Sequence, residues 1–227
     1  MELLKTEDLY FSYKNKYRTV EAVKGVNCSF EEGRCYAIVG KSGSGKTTLL
    51  SLLAGLELPT SGRVLFRGTP TTKMKRDVFR RDHAAVIYQS YNLFPLLTVM
   101  ENTVYSMRIK GVSPAEAEKR AKKELDAVGI TPDQYKRFPP QLSGGEQQRV
   151  AIARALAAGN EIILADEPTG NLDVANSDQV VTMLLHLARE EGRCVIVITH
   201  DLDLAERMDE IYTMSDGRLQ KGGIRPA

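Results

Sequence analysis

The stretch of residues 40–47, which reads GKSGSGKT, constrains this chain more than any other. It matches the pattern G-x-x-x-x-G-K-[ST] and lies between the apolar segments 34–39 and 48–56. The first segment predicts a buried strand and the second a helix, and in this order a glycine loop surrounds phosphate with backbone N–H groups. Lys46 is then expected to reach the β- and γ-phosphates, and the Thr47 hydroxyl to hold Mg²⁺. The alternative is a glycine-rich turn with a solvated lysine, but the flanking segments favour a nucleoside triphosphate site.

The overall composition argues against several other classes of protein. The 227 residues are 42% hydrophobic and 26% charged, and their formal net charge of +2 is too mild to indicate a nucleic-acid partner. Cys28, Cys35 and Cys194 form no C-x-x-C pair, which favours reduced thiols over disulfides or a zinc site. No apolar run approaches the roughly 18 residues that span a bilayer, and the N-terminus lacks a signal-peptide layout. We therefore expect a cytoplasmic chain whose membrane role depends on a partner.

An aromatic residue near the N-terminus is a candidate for nucleobase binding. Residues 3–30 are expected to form short strands around the polar turn at residues 14–16, and Tyr13 directly precedes this turn. An aromatic ring offers a broad apolar face for stacking at low entropic cost. A strand residue that covers the core fits the same position, so spacing alone leaves both interpretations open.

A helical segment is expected to interrupt the alternation of strands and helices. Residues 84–88 predict a buried strand that ends at Gln89, on the edge where an α/β sheet presents ligand-contacting groups. Residues 90–141 need no strand, and Ser113 and Pro114 are typical of a helix start. We expect one domain, with a core and β lobe in residues 1–89 and 160–227. Residues 90–159 would then form a helical lobe that offers a docking surface.

A second anion-binding motif follows this segment. Leu142 and Ser143 lead through Gly144 and Gly145 into a helix of small residues. A hydroxyl and free N–H groups at a helix N-terminus attract an anion, although an ordinary N-cap has the same appearance. The chain carries a single lysine-bearing phosphate loop. We therefore expect this turn to complete the site of another copy, in a symmetric pair that encloses each nucleotide between two chains.

Acidic and imidazole groups stand at the ends of two further predicted strands. Residues 161–165 predict a buried strand that ends in Asp166 and Glu167, and residues 194–199 predict another that ends at His200. In nucleotidases with a phosphate loop, the first such aspartate holds Mg²⁺. Glu167 is expected to point in a different direction, because successive strand residues alternate, and to orient or deprotonate the attacking water. His200 would hydrogen-bond the γ-phosphate.

These motifs occur in an order that identifies a family. The phosphate loop, the run Leu142-Ser143-Gly144-Gly145-Glu146, the Asp166-Glu167 strand end and His200 together resemble the ATP-binding subunits of ABC transporters. The run from Leu142 is that family's own signature, and the resemblance covers nearly the whole chain. It implies an α/β fold in which a RecA-like phosphate-loop core carries an antiparallel β lobe and an inserted α-helical lobe.

The resemblance also implies a role for each matching position. ATP contacts within one chain are implied for Tyr13, which stacks on adenine, and for the Walker A residues Gly40, Lys41, Ser42, Gly43, Ser44, Gly45, Lys46, Thr47 and Thr48. Contacts from the second copy are implied for Ser143, Gly144, Gly145 and Glu146, with Asp173 at the dimer seam. The implied Mg²⁺ ligands are Thr47, Gln89 and Asp166. Glu167 is implied as the catalytic base and His200 as the switch histidine, acting with Lys46 and Gln89.

Two stretches suggest a branch of the family. Residues 146–149, EQQR, and 166–173, DEPTGNLD, look most like the lipoprotein-releasing, macrolide-exporting and antimicrobial-peptide-resistance ATPases and the cell-division ATPase. Polar amino-acid importers more commonly read Ser-Ala-Leu-Asp where this chain has residues 170–173. The resemblance thus predicts an ATPase on the inner face of the cell membrane. It would dimerise around two Mg-ATP and drive a separate integral-membrane permease.

Three other functions remain as alternatives. The chain could serve an amino-acid-type importer, or act on ribosomes or DNA without transport, although such ATPases usually carry two cassettes or a long coiled-coil insertion. It could also signal to a cell-envelope partner without moving a solute. Substrate-dependent ATPase activity in the reconstituted complex, with or without solute movement, separates the last function from a pump.

Overall fold

The computed structural model describes residues 1–14 and 16–222. Within these residues the strands are β1 (Glu2–Lys14), β2 (Thr19–Glu31), β3 (Cys35–Val39), β4 (Ser61–Phe66), β5 (Thr69–Pro70), β6 (Ala84–Ile87), β7 (Ile162–Asp166), β8 (Cys194–Thr199), β9 (Glu210–Ser215) and β10 (Arg218–Lys221). The α-helices are α1 (Lys46–Leu53), α2 (Arg76–Asp82), α3 (Val99–Ile109), α4 (Pro114–Ala127), α5 (Gly144–Ala157), α6 (Val174–Arg189) and α7 (Leu202–Glu206). Short 3-10 turns cover Thr71–Lys73, Pro132–Gln134 and Pro139–Gln141.

The strands form two sheets. One has the order β2-β1-β4-β5 and is antiparallel, and the other has the order β10-β9-β3-β8-β7-β6. In the second sheet β9, β3, β8, β7 and β6 are parallel, and only β10 is antiparallel to its neighbour. Strands β3 and β8 are buried along their whole length, as expected for a parallel sheet covered on both faces. The predicted α/β fold, with a parallel core and an antiparallel β lobe, is confirmed.

The order of the parallel strands determines where the functional groups lie. Strands β3, β8, β7 and β6 are neighbours and run in the same direction. Their carboxyl ends lie along one edge of the sheet, where open α/β sheets bind their ligands. The glycine loop follows β3, His200 follows β8, Glu167 follows β7, and Gln89 follows β6 closely.

The segment between β6 and β7 contains helices α3, α4 and α5 and, within its described residues, no strand. A small apolar cluster joins the three helices through Val104, Met107, Ala117, Ala121 and Ala157. Ser113 accepts a hydrogen bond from the backbone N–H of Glu116 and caps α4, and Pro114 occupies its first turn, as predicted. The division of the chain at about residues 90 and 160 stays a prediction.

Several local expectations differ from the structure. The short strands expected within residues 3–30 are two 13-residue strands, β1 and β2, because irregular register at several positions breaks their alternation without ending the pairing. The sequence predicts no strand at β10. Asn15 of the expected turn lies outside the described residues, as do residues 223–227.

Among the residues that the structure describes, no helix combines the length and the apolar character needed to cross a bilayer.

Candidate nucleotide site

The glycine loop passes so close to the backbone of two strands that side chains are excluded. A Cβ on Gly40 would lie 2.2 Å from the carbonyl oxygen of Met214, and a Cβ on Gly45 would lie 2.2 Å from that of Ala22. Gly45, with φ of +105°, is the N-cap of α1 and makes no side-chain capping bond. Helix α1 therefore presents backbone N–H groups at its N-terminus that no capping side chain occupies, which is the setting that binds phosphate.

The side chains of the first two residues of α1, Lys46 and Thr47, bond the glycine loop and the end of β7. The Lys46 ammonium donates to the carbonyl oxygens of Gly40 at 2.7 Å and Lys41 at 3.0 Å. The Thr47 hydroxyl donates to Oδ1 of Asp166 at 3.5 Å. Burial raises the pKa of Asp166 above its ordinary value, and the bond from Thr47 partly offsets this effect. The loop and the end of β7 therefore meet within hydrogen-bonding distance.

A left-handed backbone conformation sets the direction of the Glu167 side chain. Strand β7 ends at Asp166, and Glu167 adopts φ of +48°, in the left-handed region that non-glycine residues rarely occupy. Its N–H donates to the carbonyl oxygen of Ile198 at 2.9 Å, which anchors the turn to β8. The expectation that strand alternation separates the two carboxylates is therefore wrong in its mechanism. A non-glycine residue in this conformation is typical of a functional position.

His200 and Glu167 form a pair. Oε2 of Glu167 accepts the His200 backbone N–H at 3.4 Å and lies 3.0 Å from His200 Nδ1. An ionised carboxylate can only accept, so Nδ1 carries the proton in this contact. The imidazole thus orients the carboxylate through Nδ1.

Tyr13 and Gln89 also belong to this region. Tyr13 is 50% exposed, its ring lies in a T-shaped contact with Phe11 at 4.9 Å, and its hydroxyl is 3.2 Å from Oγ1 of Thr48. The residue is therefore half-exposed while its hydroxyl is held. Gln89 is exposed, and its backbone carbonyl oxygen accepts from Nδ2 of Asn171 at 3.0 Å.

Most of the predicted one-chain contacts line a single cleft of about 650 Å³, which we call the nucleotide cleft. Its predicted members are Tyr13, Gly40, Ser42, Gly43, Gly45, Lys46, Thr47, Thr48, Gln89, Asp166, Glu167 and His200. Lys41 and Ser44 belong to the loop but are not among the lining residues. The sequence interpretation missed Val20, Glu21, Ala22, Ile198, Asp216 and Gly217, which also line the cleft. Of these, Val20 pairs with Tyr13 across β1 and β2, and Asp-Gly is a recognisable hairpin turn.

Ser143, Gly144, Gly145, Glu146 and Asp173 are not among the residues that line the nucleotide cleft. We call these five residues the signature surface. Ser143 and Glu146 form a capping box, in which Ser143 Oγ accepts the Glu146 N–H at 3.3 Å and Glu146 Oε2 accepts the Ser143 N–H at 2.7 Å. The buried Gln134 donates from Nε2 to Oε1 of Glu146. The turn at the start of α5 is therefore fixed from both sides.

Asp173, the fifth residue of the signature surface, is linked to α5 through Asn176. It caps α6, where Oδ1 accepts the Asn176 N–H at 2.8 Å and Oδ2 accepts from Asn176 Nδ2 at 2.8 Å. Arg149 of α5 donates to Oδ1 of Asn176 at 2.6 Å. A Cβ on Gly145 would lie 3.5 Å from Leu172, so the starts of α5 and α6 pack closely. The signature surface is one connected unit.

A parallel core with a glycine loop between a buried strand and a helix, facing a carboxylate strand end, defines a P-loop nucleotide-binding protein. Residues 23–170 match the model of the ABC transporter family. The chain belongs to this family as an ATP-binding subunit, and it is an ABC ATPase.

Individual relatives agree with this assignment. The uncharacterized ABC transporter ATP-binding proteins of two Mycobacterium tuberculosis strains, MT1014 and Rv0986, are each 40% identical over 220 residues, spanning 96% of this chain and 88% of the relative. The ATP-binding cassette MJ0796, solved as a dimer in a post-hydrolysis state with ADP and Pi, superposes with a TM-score of 0.92 at 36% identity. That match covers 99% of this chain and 100% of MJ0796. The cbiO1 protein of Clostridium perfringens, part of the ABC transporter complex cbiONQ, superposes with a TM-score of 0.85 at 29% identity, covering 97% and 88%.

The capping box of the signature surface predicts a pH-dependent stability. The Ser143 N–H holds the pKa of Glu146 below its ordinary value of 4.5, so the bond stabilises the fold at pH above 4.5 and is lost as the pH falls through the folded-state pKa. We expect Glu146→Gln to lower the free energy of unfolding at pH 7. The difference from wild type should shrink below pH 4.5, measured by urea unfolding, with the exposed Glu57→Gln as control. A difference that does not change with pH would contradict this role of the carboxylate.

Proposed function

We propose that this chain hydrolyses ATP as a dimer of two copies and drives a separate integral-membrane permease. One observation carries the proposal. Lys46, Asp166, Glu167 and His200 surround one cleft, whereas the second anion-binding helix start, at Ser143, belongs to another surface of the same chain. A nucleotide held between the cleft of one copy and the signature surface of its partner uses both. The dimeric arrangement described for MJ0796 with ADP and Pi supports this assembly.

The residues near Thr47 fit a magnesium ion. The Thr47 hydroxyl and the Asp166 carboxylate lie 3.5 Å apart, and Gln89 lines the same cleft. These are oxygen donors, and Mg²⁺ is commonly held by one or two protein ligands together with substrate phosphates and water. We assign Thr47, Asp166 and Gln89 as the residues that would hold it. Bound there, Mg²⁺ would neutralise charge that develops on the phosphate oxygens.

The cleft residues then divide the chemistry among themselves. Lys46 and the N-terminus of α1 bind the β- and γ-phosphates, and the Tyr13 ring stacks on the adenine. Glu167 orients a water for in-line attack on the γ-phosphorus and accepts its proton, while the bond from phosphorus to the ADP oxygen breaks. His200 holds the Glu167 carboxylate through Nδ1. Charge on the transferred phosphoryl group is stabilised by Lys46 and by the N–H groups of the partner's signature surface.

An apolar groove beside the helical segment is the proposed permease contact. Its volume is about 340 Å³, and Phe94, Tyr105 and Ile109 line it with partly exposed side chains. Exposed apolar surface of this kind marks an interaction site. The groove lies between α3 and α5 on one side and β6 on the other.

The charges at this groove indicate what the permease brings. Arg154 lines the groove and donates to the carbonyl oxygens of Asn92 at 2.7 Å and Tyr91 at 3.1 Å, and burial lowers its pKa. Lys110, which follows the groove residue Ile109 in sequence but does not line the groove, donates to Oδ1 of Asn160 at 3.0 Å and to a backbone carbonyl, and burial lowers its pKa as well. In the part of the chain that the structure describes, the hydrogen bonds of both cations go to carbonyl oxygens and neither has a carboxylate within ion-pair distance. We therefore propose a cytoplasmic permease segment with an apolar face and an acidic residue.

The branch of the family is part of this proposal. The residues 146–149 and 166–173 favour the efflux, lipoprotein-release and peptide-resistance branch over amino-acid importers. The chain would then act on the inner face of the cell membrane, where its permease has few spans and a large extracytoplasmic domain. The cargo is set by that permease.

The role of Glu167 is tested by Glu167→Gln. The amide keeps the shape of the side chain but cannot take a proton from water, so we expect steady-state ATPase turnover to fall by about 10²- to 10⁴-fold. The variant should still bind ATP and should accumulate as a dimer with Mg-ATP, measured by size-exclusion chromatography with light scattering. Glu206→Gln, an exposed change on α7, is the control and should keep full turnover. Undiminished turnover in Glu167→Gln would refute the assigned role.

The groove is tested by Ile109→Asp, which places a carboxylate on a side chain that is 54% exposed. We expect at least about a tenfold loss of co-purifying permease from detergent-solubilised cells, because the added charge repels an acidic, apolar segment. ATPase activity of the isolated chain should stay within about twofold of wild type. Leu58→Asp, at a side chain that is 45% exposed and outside the groove, is the matched control.

The identity of the captured protein decides the branch. A permease with few spans and a large extracytoplasmic domain supports the efflux and lipoprotein branch, and a compact importer permease overturns it. Equal capture by Ile109→Asp and wild type would remove the groove from the proposal. Capture of no membrane protein by the wild-type chain would refute the permease-driving function.

A further inference from the structure

The turn between β9 and β10 contacts the glycine loop from the C-terminal end of the chain. Asp216 and Gly217 occupy its two central positions with φ of +46° and +77°. Two consecutive positive φ angles are those of a type I′ hairpin turn, for which Asp-Gly is a preferred pair. Both residues line the nucleotide cleft, although the sequence interpretation assigned them no function.

Two backbone hydrogen bonds connect this turn to other elements. The Gly217 N–H donates to the carbonyl oxygen of Ser44 at 3.0 Å, within the glycine loop. The Gly217 carbonyl oxygen accepts the Lys24 N–H of β2 at 2.8 Å. One residue therefore links the loop to the antiparallel β lobe. An exposed ion pair from Lys24 Nζ to Asp216 Oδ1, at 2.8 Å, reinforces the same contact.

Two close backbone approaches to the loop come from the same two parts of the chain, β2 and the β9–β10 hairpin. The carbonyl oxygen of Met214, in β9, lies against Gly40, and that of Ala22, in β2, lies against Gly45. These two carbonyl oxygens limit the loop sterically, whereas the Gly217 N–H forms a hydrogen bond with the carbonyl oxygen of Ser44 in the loop. Ser44 immediately precedes the N-cap Gly45, so the bond fixes the chain at the point where α1 begins.

We propose that Gly217 is a positioning residue of the phosphate-binding loop, and that its N–H bond to Ser44 sets the affinity for nucleotide phosphates. Because backbone N–H groups of a loop bind phosphate only when they converge, holding the Ser44 peptide keeps those groups in place before nucleotide arrives. Glycine is favoured at this position by its positive φ and by the little space beside it. A Cβ at this position would lie 3.1 Å from the Ala22 carbonyl oxygen and 3.1 Å from Lys24 Cγ. The inference rests on the proposed nucleotide cleft.

The chain contains a closely matched control. Arg67 and Gly68 form the turn between β4 and β5 with φ of +47° and +76°, nearly the same as Asp216 and Gly217. A Cβ on Gly68 would meet no atom within 4 Å. Gly68→Ala therefore carries the same left-handed strain as Gly217→Ala, without the contacts to Ala22 and Lys24 and away from the loop.

The experiment measures Kd for ADP by fluorescence titration in the full-length chain. Alanine keeps the backbone N–H, but its Cβ would press the turn away from Ala22 and Lys24 and weaken the bond to Ser44. Gly217→Ala should therefore raise this Kd about five- to tenfold, with kcat at saturating ATP within about twofold of wild type. Gly68→Ala should lower thermal stability through the left-handed strain alone and leave Kd unchanged. Equal Kd values for Gly217→Ala and wild type, or an equal rise in both variants, would overturn the positioning role.

Two further measurements distinguish the backbone bond from the ion pair and from a folding defect. Lys24→Gln, at a residue that does not line the cleft, removes the exposed ion pair but keeps the backbone bonds, and it should change Kd less than about twofold. A rise as large as that of Gly217→Ala would overturn the backbone mechanism. If Gly217→Ala does not fold, amide hydrogen exchange of the wild-type chain decides. Added ADP should slow exchange at Gly217 and not at Gly68, and equal behaviour of the two amides would refute the proposal.

A Lys46 variant distinguishes an error in the role of Gly217 from an error in the proposed nucleotide site. Lys46→Ala should abolish ADP binding if the cleft is the site. Unchanged ADP binding in Lys46→Ala would refute the site, whereas loss of binding in Lys46→Ala with no effect of Gly217→Ala would refute only the positioning role.

Discussion

The carboxyl ends of four neighbouring parallel strands lie along one edge of the six-stranded sheet, and the chemistry of this protein depends on that edge. Strand β3 delivers the glycine loop there, β7 delivers Asp166, and β8 delivers His200. Each of these three strands, β3, β7 and β8, is buried and pairs with a neighbouring strand on both sides, so its end is rigid. Groups held by rigid elements can be aligned for phosphoryl transfer without further ordering.

Two adjacent carboxylates at such an edge would repel each other if both faced the same way. The structure separates them through the left-handed turn at Glu167, which directs its carboxylate to His200 while Asp166 faces Thr47. Burial raises the pKa of Asp166, and the hydroxyl of Thr47 opposes this shift. The two acids therefore have different partners, as the different roles proposed for them require.

How far the sequence predicts this structure depends on whether a feature is local. The glycine loop, the strand end at Asp166 and the Ser143 cap each follow from a short run of residues, and the structure contains the strand end and the cap where they are expected. The left-handed conformation of Glu167 was not predicted, because it depends on a bond to Ile198 in another strand. The other features that the sequence does not predict depend on contacts between elements that are far apart in the chain. The turn at Gly217 gives no sequence signal that it touches Ser44, and only the closed sheet brings them together.

The separation of the cleft from the signature surface has a consequence for assembly. A phosphate bound by α1 would be contacted by the start of α5 only if a second copy supplies it, because the signature surface belongs to another part of the same chain. An isologous pair then contains two equivalent composite sites. In the proposed pair, Gly145 and Asp173 would act on the partner's nucleotide, while Lys46 would act on the chain's own.

Mixing two inactive variants tests this composite site most directly. Lys46→Ala removes the ammonium of the loop, and Ser143→Arg blocks the signature surface, so each variant alone should show almost no ATPase activity. A mixed dimer contains one intact site, formed by the loop of the Ser143 variant and the signature surface of the Lys46 variant. We predict that the equimolar mixture recovers activity, up to about a quarter of the wild-type rate for random pairing. A mixture as inactive as its two components would contradict the composite site.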